Sequence, residues 1–548
     1  MRAAFASVAL LAASFGVLAA APPDAARVEV GSRISENIPE IPVALTDQLQ
    51  RYANTRSASL GGWLSDGSGL LIATRFANTA QVHRVKMPGG AREQLTFYDE
   101  PIASLATNPK RAGFVFGKDI GGSEFWQLYW FDLASREVKL LTDGKSRNSD
   151  PVFSHDGARL AYSSTERNGK DTDVWVLDLA TGARKAVVTE GGSWAPSDFS
   201  PDGKELLVSH YVSINESYPG VVTLDANKLR MFPIDGGKAA FGAFRFAPDG
   251  KGAYFTSDEG SEFLTLRYHD FATMKVTELS KKIPWDVEEF TLSEDGSRLA
   301  FVTNEDGFGV LHAIDTATRA DVPLPVLPKG VISSIEFSPD GQRIAFAVNS
   351  ALSPNDVYSV DLSANTLARW TESEVGGLAT GKFVEPKLVH FASKTAKGKA
   401  LEIPAFYYEP KTPGPHPVVI NIHGGPEAQS RPVFSAETQF LVDQLGVAVL
   451  VPNVRGSAGY GKTYLQLDNG FKREDSVQDV GALLDWIAKQ PELDAKRVGV
   501  YGGSYGGYMV LSSMTHYNDR LRAGVDIVGI SNFVTFLNNT ESYRRDLR

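Results

Sequence analysis

The chain has 548 residues, 43% of them hydrophobic and 22% charged, which is enough for more than one packed domain of ordinary soluble composition. Its net charge of −10 argues against a nucleic-acid partner held by general electrostatics. Cysteine is absent, which excludes disulfides, thiolate metal sites, a lipoprotein anchor and a cysteine nucleophile.

In chain order, the first element is an apolar run from Ala3 to Leu18, preceded by Arg2 and followed by Ala19-Ala20-Ala21 and Pro22-Pro23. It is shorter than the roughly 20 strongly apolar residues needed to span a bilayer, and much of it is alanine. Residues 1–21 therefore read as a secretory signal peptide, which predicts a periplasmic or secreted protein with no membrane span after cleavage. Residues 22–56 form an N-terminal segment.

Residues 57–380 carry a repeat. Its clear copies are "FSHDGARLAY" at Phe153, "FSPDGKELLV" at Phe199, "FAPDGKGAYF" at Phe246, "LSEDGSRLAF" at Leu292 and "FSPDGQRIAF" at Phe337. An earlier copy begins at Leu64, and a worn one, "TNPKRAGFVF", at Thr107. Asp-Gly between alternating apolar runs is a hairpin turn, because glycine accepts positive φ. A period of about 45 residues with about four strands per unit describes a propeller blade, and the copies count to seven. The aspartates Asp66, Asp156, Asp202, Asp249, Asp295 and Asp340 lack the acid ladder of a calcium loop, so turn chemistry accounts for them. The acids of "WDVEEF" (285–290) read as a solvated strand start, with capture of a substrate amine as the rival reading.

Residues 381–548 change character. A hairpin over "KLVHFASKTAKGKALEIPAFYYEP" precedes strands and helices that alternate, which predicts a parallel α/β sheet of the α/β-hydrolase type with its chemistry at the C-terminal strand ends. In "VGVYGGSYGGYMV" the stretch Gly502-Gly503-Ser504-Tyr505-Gly506 fits the nucleophile elbow, strand then sharp turn then helix. Ser504 is the candidate nucleophile and the Tyr505 amide a candidate oxyanion donor; Gly502 and Gly506 keep the turn tight. The turn His423-Gly424-Gly425 is the candidate second oxyanion element, a role preferred for His423 over general base because it precedes the nucleophile. Residues Gly456 to Thr463 also fit the phosphate-binding pattern G-x-x-x-x-G-K-[ST], but Pro452 to Arg455 separate them from their strand and no convincing magnesium-binding aspartate follows.

A seven-bladed propeller followed by "HGGPE", "NVRGSAGYG", "GGSYGGYM" and "ISNF" resembles the prolyl oligopeptidase family of serine peptidases, in its acylaminoacyl-peptidase and dipeptidyl-peptidase-like branch. The resemblance implies Ser504 as nucleophile, Tyr505 and the His423-Gly424-Gly425 turn around the oxyanion, a propeller over the active site, oligopeptide substrates and no cofactor or metal. It implies no oligomeric state. The family order places an Asp and then a His after the serine. Eight of the nine histidines precede Ser504, and the ninth, His516, lies about three turns along the helix that starts at the elbow. The sequence reading is therefore of a sheet incomplete at its C-terminal end, a truncated peptidase inactive on its own. A non-catalytic propeller binding protein and an esterase on the same fold are the alternatives.

Overall fold

The computed structural model describes residues 27–234, 237–395 and 397–543. The signal-peptide reading of 1–21 lies outside them. Two compact units result, divided after Gln50. In the first, Val28–Val30 pairs antiparallel with Arg33–Ser35, and the helix Val43–Ala53 begins.

The second unit opens with seven small antiparallel sheets in sequence order, the blades of the propeller: 58–94, 104–140, 148–188, 193–231, 241–278, 287–315 and 331–369. Six have four strands and the sixth has three. Each repeated Asp-Gly closes the turn between a blade's first and second strands. The glycines sit at φ between +67° and +70°, where a Cβ would be strained. The aspartate carboxylate caps the turn: Asp156 accepts from the Ser154 hydroxyl and the Ala158 amide, and Asp202, Asp295 and Asp340 accept from Ser200, Ser293 and Ser338 in the same way. Those bonds hold these carboxylates below their usual range.

Blades 1 and 7 meet without sharing a strand. Trp63 of blade 1 packs edge-on to Trp370 of blade 7 at 5.5 Å, inside a buried cluster with Ile72, Val85 and Val357. The join is reinforced by Glu336, which accepts from the Trp63 amide at 3.3 Å. Asp198 of blade 4 makes the equivalent link, accepting from the Phe246 amide of blade 5 at 2.8 Å. In each case the innermost strand carries a bulge beside the acid, between Pro196 and Asp198 and between Ser333 and Glu336.

Thr55–Arg56 pairs antiparallel with Glu374–Val375, and the largest sheet has six strands in the spatial order Lys387–Lys394, Ala400–Tyr408, Ala448–Pro452, His416–Ile422, Leu493–Gly503 and Ala523–Ile527. The first two are an antiparallel hairpin; the last four run parallel. Val480, Leu483, Leu484 and Ile487 of the helix Val477–Ile487 share one core with Met509 and Val510 of the helix Tyr505–His516. The final strand, Ala523–Ile527, is exposed along its whole length.

Loops at the C-terminal strand ends meet blades 5 to 7. Arg431 is bidentate to Glu288 at 2.8 and 2.9 Å and donates to the Gly307 carbonyl, and Asn304 donates to Gln429 at 2.6 Å. These contacts correct the reading of "WDVEEF" as solvated. Glu288 is spent on Arg431, and Asp286 accepts from the Leu264 amide at 2.8 Å, with burial raising its carboxyl to about 6.

Candidate active site

The strand Leu493–Gly503 ends at Ser504, whose φ of 55° and ψ of −118° are strained for a residue with a Cβ. Close packing imposes the bend. A Cβ on Gly506 would lie 2.1 Å from the Ile422 carbonyl, and one on Gly502 would lie 2.6 Å from the Gly506 carbonyl group. The Ser504 amide donates to Ile527 at 2.9 Å, fixing the turn to the next strand, while the serine side chain makes no capping bond to the helix. The Tyr505 amide, at the first position of that helix, has no intrahelical acceptor available.

The Tyr505 side chain points away from the reaction space. Its hydroxyl is buried against Ser476 at 2.9 Å and Asp468 at 3.0 Å. Asp468 in turn holds Arg473 at 3.0 Å, and Arg473 reaches Glu427 at 3.1 Å. This network locks the first turn of the helix, and sequence reasoning missed it because its members are scattered between 427 and 505.

The His423-Gly424-Gly425 turn lies directly beside the elbow. A Cβ on Gly424 would come 3.5 Å from that of Ser504. Neither the Gly424 nor the Gly425 amide donates to another backbone group among the described residues, so both remain available to an oxyanion. The His423 ring is committed elsewhere. Its Nδ1 meets the Gly424 carbonyl at 2.6 Å and its Nε2 the Ser457 hydroxyl at 2.8 Å, and burial lowers its pKa. The His423 ring therefore ties this turn to the Ser457 loop. His516 ends the helix Tyr505–His516. Among the described residues no side chain hydrogen-bonds the Ser504 hydroxyl.

The loop that imitates a phosphate site is an inter-domain contact. Lys462 Nζ donates to the Asp258 carbonyl at 2.8 Å, and Thr463 donates from its amide and hydroxyl to Glu262 at 2.6 and 2.9 Å. Its glycines give room to Asp468, Gln429 and Glu262 side chains.

A second feature invisible in the sequence lies below. Arg455 and Asp479, with side chains 2% and 0% exposed, form a bidentate pair at 2.5 and 2.9 Å, completed by the Ser393 hydroxyl at 2.6 Å.

Beside the elbow a cavity of about 1110 Å³ is lined by Gly425 and Tyr505, by the blade 4 turn Tyr211 to Asn215, and by Phe471, Glu474 and Phe533.

Residues 432–546 match the prolyl oligopeptidase family and residues 111–269 the TolB beta propeller domain. The chain thus carries a prolyl oligopeptidase family domain behind a TolB-type propeller. Over 471 residues it is 28% identical to dipeptidyl aminopeptidase BIII of Pseudoxanthomonas mexicana, an alignment covering 84% of this chain and 61% of that protein. It is 26% identical to the uncharacterized peptidase YuxL of Bacillus subtilis (strain 168), over 72% of this chain and 75% of that one. The chain thus spans less than two thirds of the length of the first of these relatives. The fold is that of solved prolyl endopeptidases (TM-score 0.77, 18% identity, 91% of this chain and 76% of the other) and of a puromycin hydrolase (TM-score 0.75, 19% identity, 92% and 82%).

Proposed function

We propose that this chain is the scaffold of an exported serine peptidase that cleaves short peptides through an acyl-enzyme on Ser504. The observation that carries the reading is the strained Ser504 beside two glycine amides free of backbone partners, next to a cavity whose walls include Gly425, Tyr505 and a turn of the propeller. The Tyr505 amide and the Gly424-Gly425 turn would stabilise the oxyanion as Ser504 Oγ attacks the peptide carbonyl. The blade 4 turn Tyr211 to Asn215 walls one side of the same cavity, which supports a preference for short peptides over folded proteins. The apolar run behind Arg2 supports export to the periplasm or beyond.

A serine hydroxyl needs a base, and none touches Ser504 among the described residues. We infer that these 548 residues alone turn over peptides negligibly, and that an Asp and a His from additional polypeptide would complete the site. The bare hydroxyl also favours a second reading, a peptide-binding protein without catalysis. A panel of peptide amides assayed with the purified chain, with and without supplied polypeptide carrying a late Asp and His, tests both. Turnover that appears only on addition, and is abolished by Ser504→Ala, is the expected result. Ser504-dependent turnover by the chain alone would overturn the inactivity, and no turnover in either case would leave the binding role standing.

A further inference from the structure

We propose that the end of the propeller channel away from the α/β domain is a second ligand site, which takes a small molecule bearing one carboxylate and holds it on Arg245. A chamber of about 610 Å³ has walls from all seven blades, from Trp63 of blade 1 to Glu336 of blade 7, so it lies on the propeller axis. That volume is in the range of small-molecule sites. Lys110, Asp156 and Glu294 on its rim belong to turns between a blade's first and second strands. Antiparallel strands put those turns at the opposite end from the second-to-third turns. It is the latter, at Asp258 and Gly307, that touch Lys462 and Arg431 of the α/β domain. The chamber is therefore separate from the cavity beside Ser504. Lys110 of blade 2 and Glu294 of blade 6 stand nearly opposite in the ring, yet they pair at 2.5 Å, so their side chains cross the outer mouth.

The acids of the chamber are already engaged. Glu294 is on Lys110, and Asp156 caps its own turn through the Ser154 hydroxyl. Asp198 accepts from the Phe246 amide and meets His155 Nε2 at 3.3 Å, while Glu336 accepts from the Trp63 amide. Arg245 is the exception: it pairs with no carboxylate among the described residues. Its guanidinium crosses to blade 4, where Nη1 donates to the Ser197 carbonyl, and also to the Phe244 carbonyl at 3.3 Å. Two backbone acceptors thus fix the group and leave Nε and Nη2 without a protein acceptor among the described residues. Those two donors lie on one edge of the planar guanidinium and match the two oxygens of a carboxylate. The Thr107 and Thr291 hydroxyls line the same chamber, and no bond from either to a protein group is formed among the described residues. The neighbouring Asp198 and Glu294 carboxylates would repel a phosphate dianion more strongly than a single carboxylate, which sets the ligand class.

Calorimetric titration of the full chain tests this without turnover. The probes are N-acetyl-Gly-Gly and its C-terminal amide, which differ only in the carboxylate. The acid is expected to bind at least about ten-fold more tightly than the amide, as a charge-assisted two-donor contact gives. Arg245→Gln should erase the preference, and Arg245→Lys, which keeps the charge without the paired donors, should retain only part of it. Because Nη1 also holds Ser197, the unaltered chain supplies a second measurement. Phenylglyoxal modifies accessible arginines, and peptide mass spectrometry follows each one. Saturating N-acetyl-Gly-Gly is expected to protect Arg245, while the amide is not. Equal affinity for the two probes, or no binding of the acid, overturns the carboxylate site. A preference that survives Arg245→Gln, or an Arg245 labelled equally fast with the acid bound, places the carboxylate elsewhere and overturns the assignment. The peptidase reading of Ser504 stands or falls independently of these results.

Discussion

Ser504 keeps its backbone angles because Gly502 and Gly506 let the strand and helix pack too closely for any side chain there, and that much can be seen in the letters GGSYGG. The Arg455–Asp479 pair cannot. Arg455 reads as part of a glycine-rich loop, and Asp479 as the polar position of an amphipathic helix whose carboxylate would ordinarily be solvated. In the fold both are buried, and Asp479 also accepts from the Arg455 amide at 2.9 Å, so the pair joins the loop after Ala448–Pro452 to the helix Val477–Ile487. Replacing one partner strands a buried charge. Asp479→Ala is expected to lower stability by about 3–5 kcal/mol, read as the shift of a denaturation midpoint, whereas breaking an exposed pair such as Arg497–Asp494 should leave the midpoint nearly unmoved. Similar midpoints for the two variants would show that the buried pair carries no such burden.

At the scale of the element, the blade was the most legible unit, because the Asp-Gly turn repeats its own cause: a carboxylate that caps and a glycine that turns. What joins blade to blade was not legible. The linking acids precede the phenylalanine of "SDF", "EEF" and "IEF", but they act only because a bulge turns a neighbouring strand's amide toward them, and bulges have no signature here. Two of these links are titratable near neutrality. Burial pushes Glu336 up to about 7, against the Trp63 amide, and Glu289 also to about 7, against the Ile335 amide. An acid whose pKa rises on folding binds its proton more tightly in the folded state. Stability is therefore fullest below the unfolded value near 4.5 and falls as pH climbs to about 7, by at most about 3 kcal/mol per group. Glu336→Gln keeps an acceptor for Trp63 and removes the titration. Its thermal midpoint should fall less than that of the parent between pH 5 and pH 8, and parallel curves would contradict the assignment.

Taken whole, the molecule balances two closures against one open boundary. The propeller closes on itself through Trp63, Trp370 and Glu336, and blades 5 to 7 close over the strand ends through Arg431 and Lys462. The α/β sheet does not close at Ala523–Ile527. Parallel sheets normally bury both faces of every strand, yet here Val525 is 51% and Ile527 44% exposed, with Val528, Val534 and Leu537 exposed close by in the chain. The strand is held on one side by Leu493–Gly503, while its other edge presents free backbone groups among the described residues. An apolar strand with an open edge is a template for pairing with another strand. The isolated chain should therefore self-associate as its concentration rises, and Val525→Lys with Ile527→Lys should suppress this by placing charge on the open strand. Sedimentation velocity over a concentration series measures it. A parent that stays monodisperse throughout, or a double variant that associates equally, would mean that this edge is not what drives association.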